Sequence, residues 1–470
     1  MVTFPTSTPS QEGIDPAIVL DLLDAIDAHP DMEPHGLIVQ RGGRRVLEAH
    51  WRPHRAGQPR LVYSLSKSFT GAALGLAVGD GLLSLDDPVL EHLPEAGDGV
   101  DERTARMRIR HIASMASGHQ EETLLHAFLA DPDDLVGAFL RLPPEHEPGT
   151  WFAYNQPPVL ALATVLQRLT GRRLVEQLRD RVLHPLGIGD LRWYQYRPGV
   201  DLGFSGVYTD LDAVARFGQF HLDDGCIDGR RVLPEGWVAE ASRPQIDNPR
   251  EPQPDWSRGY GFQFWMCRHG YRGDGAFGQY MVVLPEQDTV VAFFSTTEPM
   301  QPFLDLLWDL LVPAVERGCD PDPDGDRAVA ERVAGLRLPT AADRTGTAAA
   351  GTGAAPAGGR FVRAEHGSGH HTITEVLVED GRLHLHEGDQ VLQVPLAGDW
   401  VDVADHPIAA SAAVGDDGAL TVDLAMLATP HRLELTTDPT TGTFRALWPL
   451  PPLFGLGLEA ELGRMRPPST

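Results

Sequence analysis

Lysine, cysteine and long apolar runs are what this 470-residue chain has least of, and each scarcity removes a class of protein. No stretch reaches the roughly 18–20 consecutive apolar residues of a membrane-spanning helix, so no transmembrane segment is expected. Residues 1–19 hold no basic stretch followed by an apolar one, and no secretory signal is expected there. Cys226, Cys267 and Cys319 are odd in number and widely spaced, with no CxxC. They read as reduced packing residues of a cytoplasmic protein. Positive charge is also thin: 39 Lys and Arg face 66 Asp and Glu, a formal charge of −27. Such a surface repels nucleic acid and anionic lipid, so neither is expected as a partner.

Lys and Arg total 39, of which a single residue, Lys67, is lysine and 38 are arginine. Wherever a cation alone is needed, this chain uses arginine. Lysine does one thing arginine cannot: a desolvated ammonium gives up its proton near neutral pH, whereas guanidinium stays charged. The lone lysine is therefore a candidate general base. It stands in Tyr63-Ser64-Leu65-Ser66-Lys67-Ser68, three residues after Ser64, a Ser-x-x-Lys spacing that suits a nucleophile and its activator. The apolar, small-residue run that follows predicts a buried helix, with Ser64 and Lys67 as i and i+3 neighbours on one face. Ser64 then sits at the helix N-terminus, where free N–H groups favour a developing anion.

Residues 15–29 carry apolar residues at helical spacing after an Asp, and residues 35–51 read as a hairpin about Gly42-Gly43. From 84 to 191 the pattern is mostly helical. Strand patterns return at 259–267 and 279–296, and 301–317 reads as a closing helix interrupted by Pro313. The expected layout is a sheet built from both ends of the domain around a helical insertion at about 85–195, with a catalytic cleft between. Residues 339–359, rich in Ala, Gly and Thr, read as a flexible linker closing a domain of residues 1–338. Residues 360–470 hold closely spaced short strands, expected to form a small all-β barrel or sandwich.

A second motif, Pro148-Gly149-Thr150-Trp151-Phe152-Ala153-Tyr154-Asn155-Gln156, runs into an apolar helix. With the Ser-x-x-Lys and this layout, residues 12–320 resemble the serine β-lactamase-related family, which includes class C β-lactamases, DD-peptidases, esterases and amidases. The resemblance implies an α+β fold of the β-lactamase/transpeptidase type. It implies that Ser64 is the nucleophile and that Tyr154, matching the tyrosine of the family's Tyr-x-Asn, shuttles the proton as phenol or phenolate. A phenol with a pKa of about 10 needs a nearby cation to act as a base, and Lys67 is expected to be that cation. The motif's asparagine falls on Gln156, one methylene longer.

The family's third motif, Lys- or His-Thr/Ser-Gly, corresponds to Gly273-Asp274-Gly275. Gly275 keeps the glycine, but no cation or hydroxyl stands before it, so a β-lactam carboxylate would need Arg272 or His269 to swing in. The resemblance makes the N–H groups of Ser64 and Ala276 the expected oxyanion hole, with Asp274 and Gly275 on the substrate side. His119 and Gln120, in a loop that borders the pocket in such proteins, are further substrate-facing candidates. His384 and His386 share a strand face near His370-His371, but no third ligand has recognisable spacing, and neither a metal nor a cofactor is expected.

Four functions compete. The leading one is hydrolysis of an ester or unstrained amide of a small-molecule or peptide-like substrate through an acyl-serine. A second passes the same acyl group to an amine or alcohol, as a transacylase or peptide cyclase. A catalytically dead binding module is opposed by the intact Ser64, Lys67 and Tyr154. β-Lactamase or DD-peptidase activity is disfavoured by the missing third-motif cation. These motifs leave the substrate and the oligomeric state open.

Overall fold

Near-continuous apolar runs build the central sheet and give it two buried faces. A computed structural model describes residues 4–94, 99–189, 191–352, 355–367, 369 and 372–453. Six antiparallel strands form the sheet: β1 (Met32–Arg41), β2 (Arg44–His50), β3 (Trp265–Met266), β4 (Tyr271–Gly275), β5 (Gln279–Leu284) and β6 (Thr289–Thr297). Their spatial order is β3-β4-β5-β6-β1-β2, so strands from both ends of the domain meet at β1 and β6, as the patterning implies. The β1–β2 turn has Gly42 and Gly43 at φ 57° and 67°, the left-handed pair that a two-residue hairpin demands.

Successive residues of these strands enter different cores. Leu37, Val39, Val282, Val291 and Phe293 pack beneath helix α1 (Pro16–Asp27) and the 301–317 helix. Ile38, Met281, Val283, Ala292 and Phe294 face the other way, toward α2 (Ser66–Gly79), α3 (Gln156–Thr170) and α4 (Leu211–Leu222). The 301–317 helix is not broken at Pro313; it widens into a π turn at Leu307–Leu311 before continuing as Val312–Arg317. A wider turn accommodates a ring that lacks an N–H and crowds the preceding carbonyl. The expected strand at 259–267 shrinks to Trp265–Met266. Gln263 turns the chain at φ 68°, and its amide reaches back to Ala113 O at 2.7 Å.

The expected flexible linker at 339–359 is ordered at its start. Thr340 caps helix α5 (Ala341–Thr345) in a reciprocal box with Asp343, Ala341 N–H donates to Ser411 Oγ at 2.9 Å, and Ala348–Ala349 pair with a barrel strand. The Thr-x-x-Asp signal was in the sequence, masked by the small residues around it. Beyond it, eight main strands curl into one sheet: β7 (Gly359–Arg363), β8 (Ile373–Glu379), β9 (Arg382–Glu387), β10 (Gln390–Pro395), β11 (Ile408–Val414), β12 (Leu420–Met426), β13 (Arg432–Asp438) and β14 (Thr443–Leu447). All pairings are antiparallel except β7 with β14, and Ala412 N–H donates to Ala397 O at 2.7 Å where the sheet curls back on itself. Its interior, from Phe361 to Trp448, shares no buried residue with the two catalytic cores. Among the described residues, no helix is long and apolar enough to cross a membrane.

Candidate active site

Ser64 occupies the middle of a 3-10 turn, Tyr63–Leu65, that runs directly into α2. Three serines compete for the role of nucleophile, and their hydroxyls separate them. Ser66 Oγ donates to Tyr63 O at 2.6 Å and accepts from Val207 N–H at 2.9 Å, while Ser68 Oγ donates to Gln263 O at 3.1 Å. Both are buried. Ser64 alone is half-exposed, and its Oγ lies 2.9 Å from Lys67 Nζ.

Lys67 is 1% exposed, and its Nζ also donates to Phe204 O at 2.8 Å and sits 4.7 Å from the centre of the Tyr154 ring. Burial without a counter-ion in contact pulls its pKa from 10.5 down to about 7; the charges of Asp274 and Glu122 resist the fall. At neutral pH much of this amine is therefore unprotonated and free to accept a proton.

That desolvation also weighs on folding. The folded pKa lies below the unfolded one, so between about 7 and 10.5 the unfolded chain binds the additional proton. The stability cost is fully present below pH about 7 and disappears as pH rises past 10.5. It amounts to at most about 5 kcal/mol. Lys67→Met should accordingly melt above the wild type at pH 6–7, with the gap narrowing toward pH 10. A gap that did not depend on pH would trace instead to packing.

Tyr154 precedes α3, whose N-cap is Asn155. Its ring stacks on Trp265 with centroids 5.1 Å apart and meets Tyr260 edge-on. Ser64 and Trp265 near its hydroxyl pull the pKa of the phenol down, but burial and the Asp274 charge outweigh them and push it well up. The expectation of a phenolate made by a lysine cation is thus reversed. The site holds a depressed lysine and a firmly protonated phenol, because burial penalises the charged form of each.

On β4, side chains alternate between two tasks. Gly273 and Gly275 face α2: a Cβ at 275 would stand 2.0 Å from Val62 O and 3.2 Å from Ser64 N, and one at 273 would stand 2.3 Å from Ser68 Oγ. Only glycine lets the strand lie this close to the nucleophile turn. Ala276 follows immediately, just beyond the last β4–β5 ladder pair, Gly275 with Gln279. Arg272 and Asp274 face the other way and pair at 2.8 Å. Arg272 is fully buried, donates to Asp255 O at 2.7 Å and Cys267 Sγ at 3.1 Å, and lies 4.1 Å from the Trp256 ring. Neither expected cation is free to swing in: Arg272 is held, and His269 packs on Trp308. Asp274 is paired with Arg272, and its charge is felt by Lys67.

His119 is also corrected. It is buried, with Nδ1 at 3.1 Å from Ser117 Oγ and Nε2 at 3.1 Å from Leu142 O, so it braces the insertion and offers nothing to a substrate. Gln120 is exposed, its N–H donating to Glu145 and its carbonyl accepting from Trp151. Gln156 Oε1 is buried with no hydrogen-bond partner among the described residues. Sequence reading missed Glu122, Phe204 and Trp265. Glu122 accepts from the N–H groups of Leu124 and Gln156, and its carboxylate is felt by Lys67. One acid among 66 Asp and Glu carried no local signal. No cluster of three or more His, Cys, Asp or Glu suited to a metal occurs among the described residues, and His370 and His371 lie outside them.

A family model described as Beta-lactamase matches residues 24–316. The 6-aminohexanoate-dimer hydrolase of Paenarthrobacter ureafaciens is 26% identical over 328 residues, covering 62% of this chain and 82% of that protein. Penicillin-binding protein 4 of Amycolatopsis lactamdurans is 26% identical over 286 residues, covering 53% of this chain and 75% of its own. In fold, the chain is similar to the octameric penicillin-binding protein homologue from Pyrococcus abyssi, with a TM-score of 0.50 at 15% identity. That likeness covers 89% of this chain and 98% of the other, and so extends into the C-terminal sheet. The chain belongs to the beta-lactamase family and is a serine hydrolase of the acyl-enzyme type.

Proposed function

We propose that the protein hydrolyses an ester or unstrained amide of a small-molecule or peptide-like substrate, with Ser64 as nucleophile and neutral Lys67 as its base. The 2.9 Å approach of a desolvated lysine to Ser64 Oγ carries this reading. As Oγ bonds to the acyl carbon, its proton passes to Lys67 Nζ. The N–H groups of Ser64 and Ala276 receive the oxyanion. Tyr154, kept protonated by burial and placed with its ring beside Lys67, gives its proton to the leaving oxygen or nitrogen as the acyl bond breaks, and the Lys67 ammonium restores it. Water then attacks the acyl-serine along the same proton path in reverse. The unpartnered Oε1 of Gln156 suits an N–H on the substrate. The unpaired state of Cys226, Cys267 and Cys319 supports a cytoplasmic setting.

The pairing of Arg272 with Asp274 holds that cation away from a carboxylate beside the scissile bond, and Asp274 and Glu122 add negative charge. Substrates lacking that carboxylate are favoured. The test is a panel of p-nitrophenyl esters, D-amino-acid amides and nitrocefin. Turnover of an ester or amide should exceed that of nitrocefin by at least about 10-fold, the worth of a charged hydrogen bond left unmade. Nitrocefin as the best substrate would overturn the reading. Repeating the assay with added amines and alcohols separates hydrolysis from acyl transfer: a new amide or ester in place of free acid would make the protein a transacylase.

A further inference from the structure

We infer that the C-terminal barrel holds the oxyanion-forming backbone in shape through His431, a positioning residue 367 positions beyond the nucleophile. The inference rests on the reading of Ser64 and Ala276 as the oxyanion donors. Each donor adjoins a non-glycine residue in the left-handed region: Tyr63 at φ 48°, just before Ser64, and Phe277 at φ 65°, just after Ala276. L side chains rarely adopt that backbone, and it persists only where the surroundings over-determine it.

His431 supplies that constraint for both. The Tyr63 and Phe277 rings meet edge-on with centroids 5.4 Å apart, and the imidazole of His431 packs edge-on against each, at 6.1 Å and 4.8 Å. Its Nδ1–H donates to Leu450 O at 3.2 Å, which leaves Nε2 as the acceptor for the Tyr63 hydroxyl at 2.7 Å. The imidazole is 2% exposed. It cannot drift, because the turn that carries it between β12 and β13 is itself bonded to the catalytic part. Leu61 N–H donates to Ala428 O at 2.9 Å, Arg60 donates to Thr429 O at 3.3 Å, and Thr296 Oγ1 donates to Pro430 O. One barrel turn thus fixes the residues on the outer side of both donors, while Gly275 and Val62 set their inner spacing.

A positioning role of this kind acts on the transition state, where the oxyanion exists, and leaves ground-state binding alone. The experiment compares full-length wild type, His431→Leu, His431→Gln and Tyr63→Phe for ester hydrolysis, alongside affinity for a boronic acid whose tetrahedral adduct on Ser64 occupies the same hole. His431→Leu should lower kcat by about 10-fold or more with KM within about three-fold, a fraction of the 10²–10³ that loss of an oxyanion donor costs. Boronate affinity should fall in step with kcat/KM. His431→Gln, which can still accept from Tyr63 and donate to Leu450, should recover most of the loss. Should His431→Leu not fold, Tyr63→Phe removes the same hydrogen bond from the other side and carries the test. Unchanged kcat and boronate affinity in a folded variant would overturn the inference, as would a loss confined to KM. Ser64→Ala assayed alongside separates the two levels. Full activity without the Ser64 hydroxyl would overturn the mechanism itself, whereas a dead Ser64→Ala beside a fully active His431→Leu would overturn only the clamp.

Discussion

Lys67→Arg should leave the protein folded and reduce ester turnover by a factor of about 10²–10⁴, the usual worth of a general base. The exchange keeps the charge and nearly keeps the length, in a chain that uses arginine for every other basic residue. What it removes is the ability to be neutral. Guanidinium cannot take the Ser64 proton at any working pH, and its planar fork does not match a pocket shaped by Phe204 O and the Tyr154 ring. The wild type should show kcat/KM rising with pH through about 7 and levelling above it, because the base form of Lys67 is the reactive one. In the arginine variant that limb should vanish along with the activity. Steady-state kinetics from pH 5 to 9, with circular dichroism to confirm folding, decides the matter. A folded Lys67→Arg protein keeping more than about a tenth of the rate would reduce Lys67 to a structural cation.

Ser64→Ala should abolish covalent labelling by a fluorophosphonate and cut turnover by roughly 10⁴-fold or more, since the acyl-enzyme route itself is lost. Ser66→Ala and Ser68→Ala should both still be labelled at Ser64. Their hydroxyls are committed to Tyr63 O and Val207 N–H, and to Gln263 O, and neither touches Lys67. Intact mass and peptide mapping read the outcome directly. A probe adduct that persists in Ser64→Ala would move the nucleophile elsewhere.

Much of this was legible from local patterns. Three residues of helix place Lys67 on the face of Ser64, and that geometry needs nothing beyond the helix. Apolar runs at 35–51 and 279–296 were enough to expect a sheet built from both ends of the domain, which the strands at Met32–Arg41 and Thr289–Thr297 form. The glycine kept at 275 was likewise readable from the third motif, and the structure lays that strand against the nucleophile turn. In other places a local signal was outvoted: Gln263 bent an apparent strand, and a Thr340–Asp343 cap ordered an apparent linker.

Charge states and commitments were decided only by tertiary structure. The spacing that singles out Lys67 says nothing of its pKa, which depends on burial beside Phe204, 137 residues on, and under Tyr154. The same holds for the phenol kept protonated, for Arg272 locked between Asp274 and Trp256, and for His119 turned inward. His431 meeting Tyr63 across 368 residues had no trace in any motif. The physical reason is one of range. Helix and strand geometry are set by neighbours in sequence, so spacing alone reveals them, whereas desolvation, ion pairing and ring packing are sums over whatever the folded chain brings within a few ångströms.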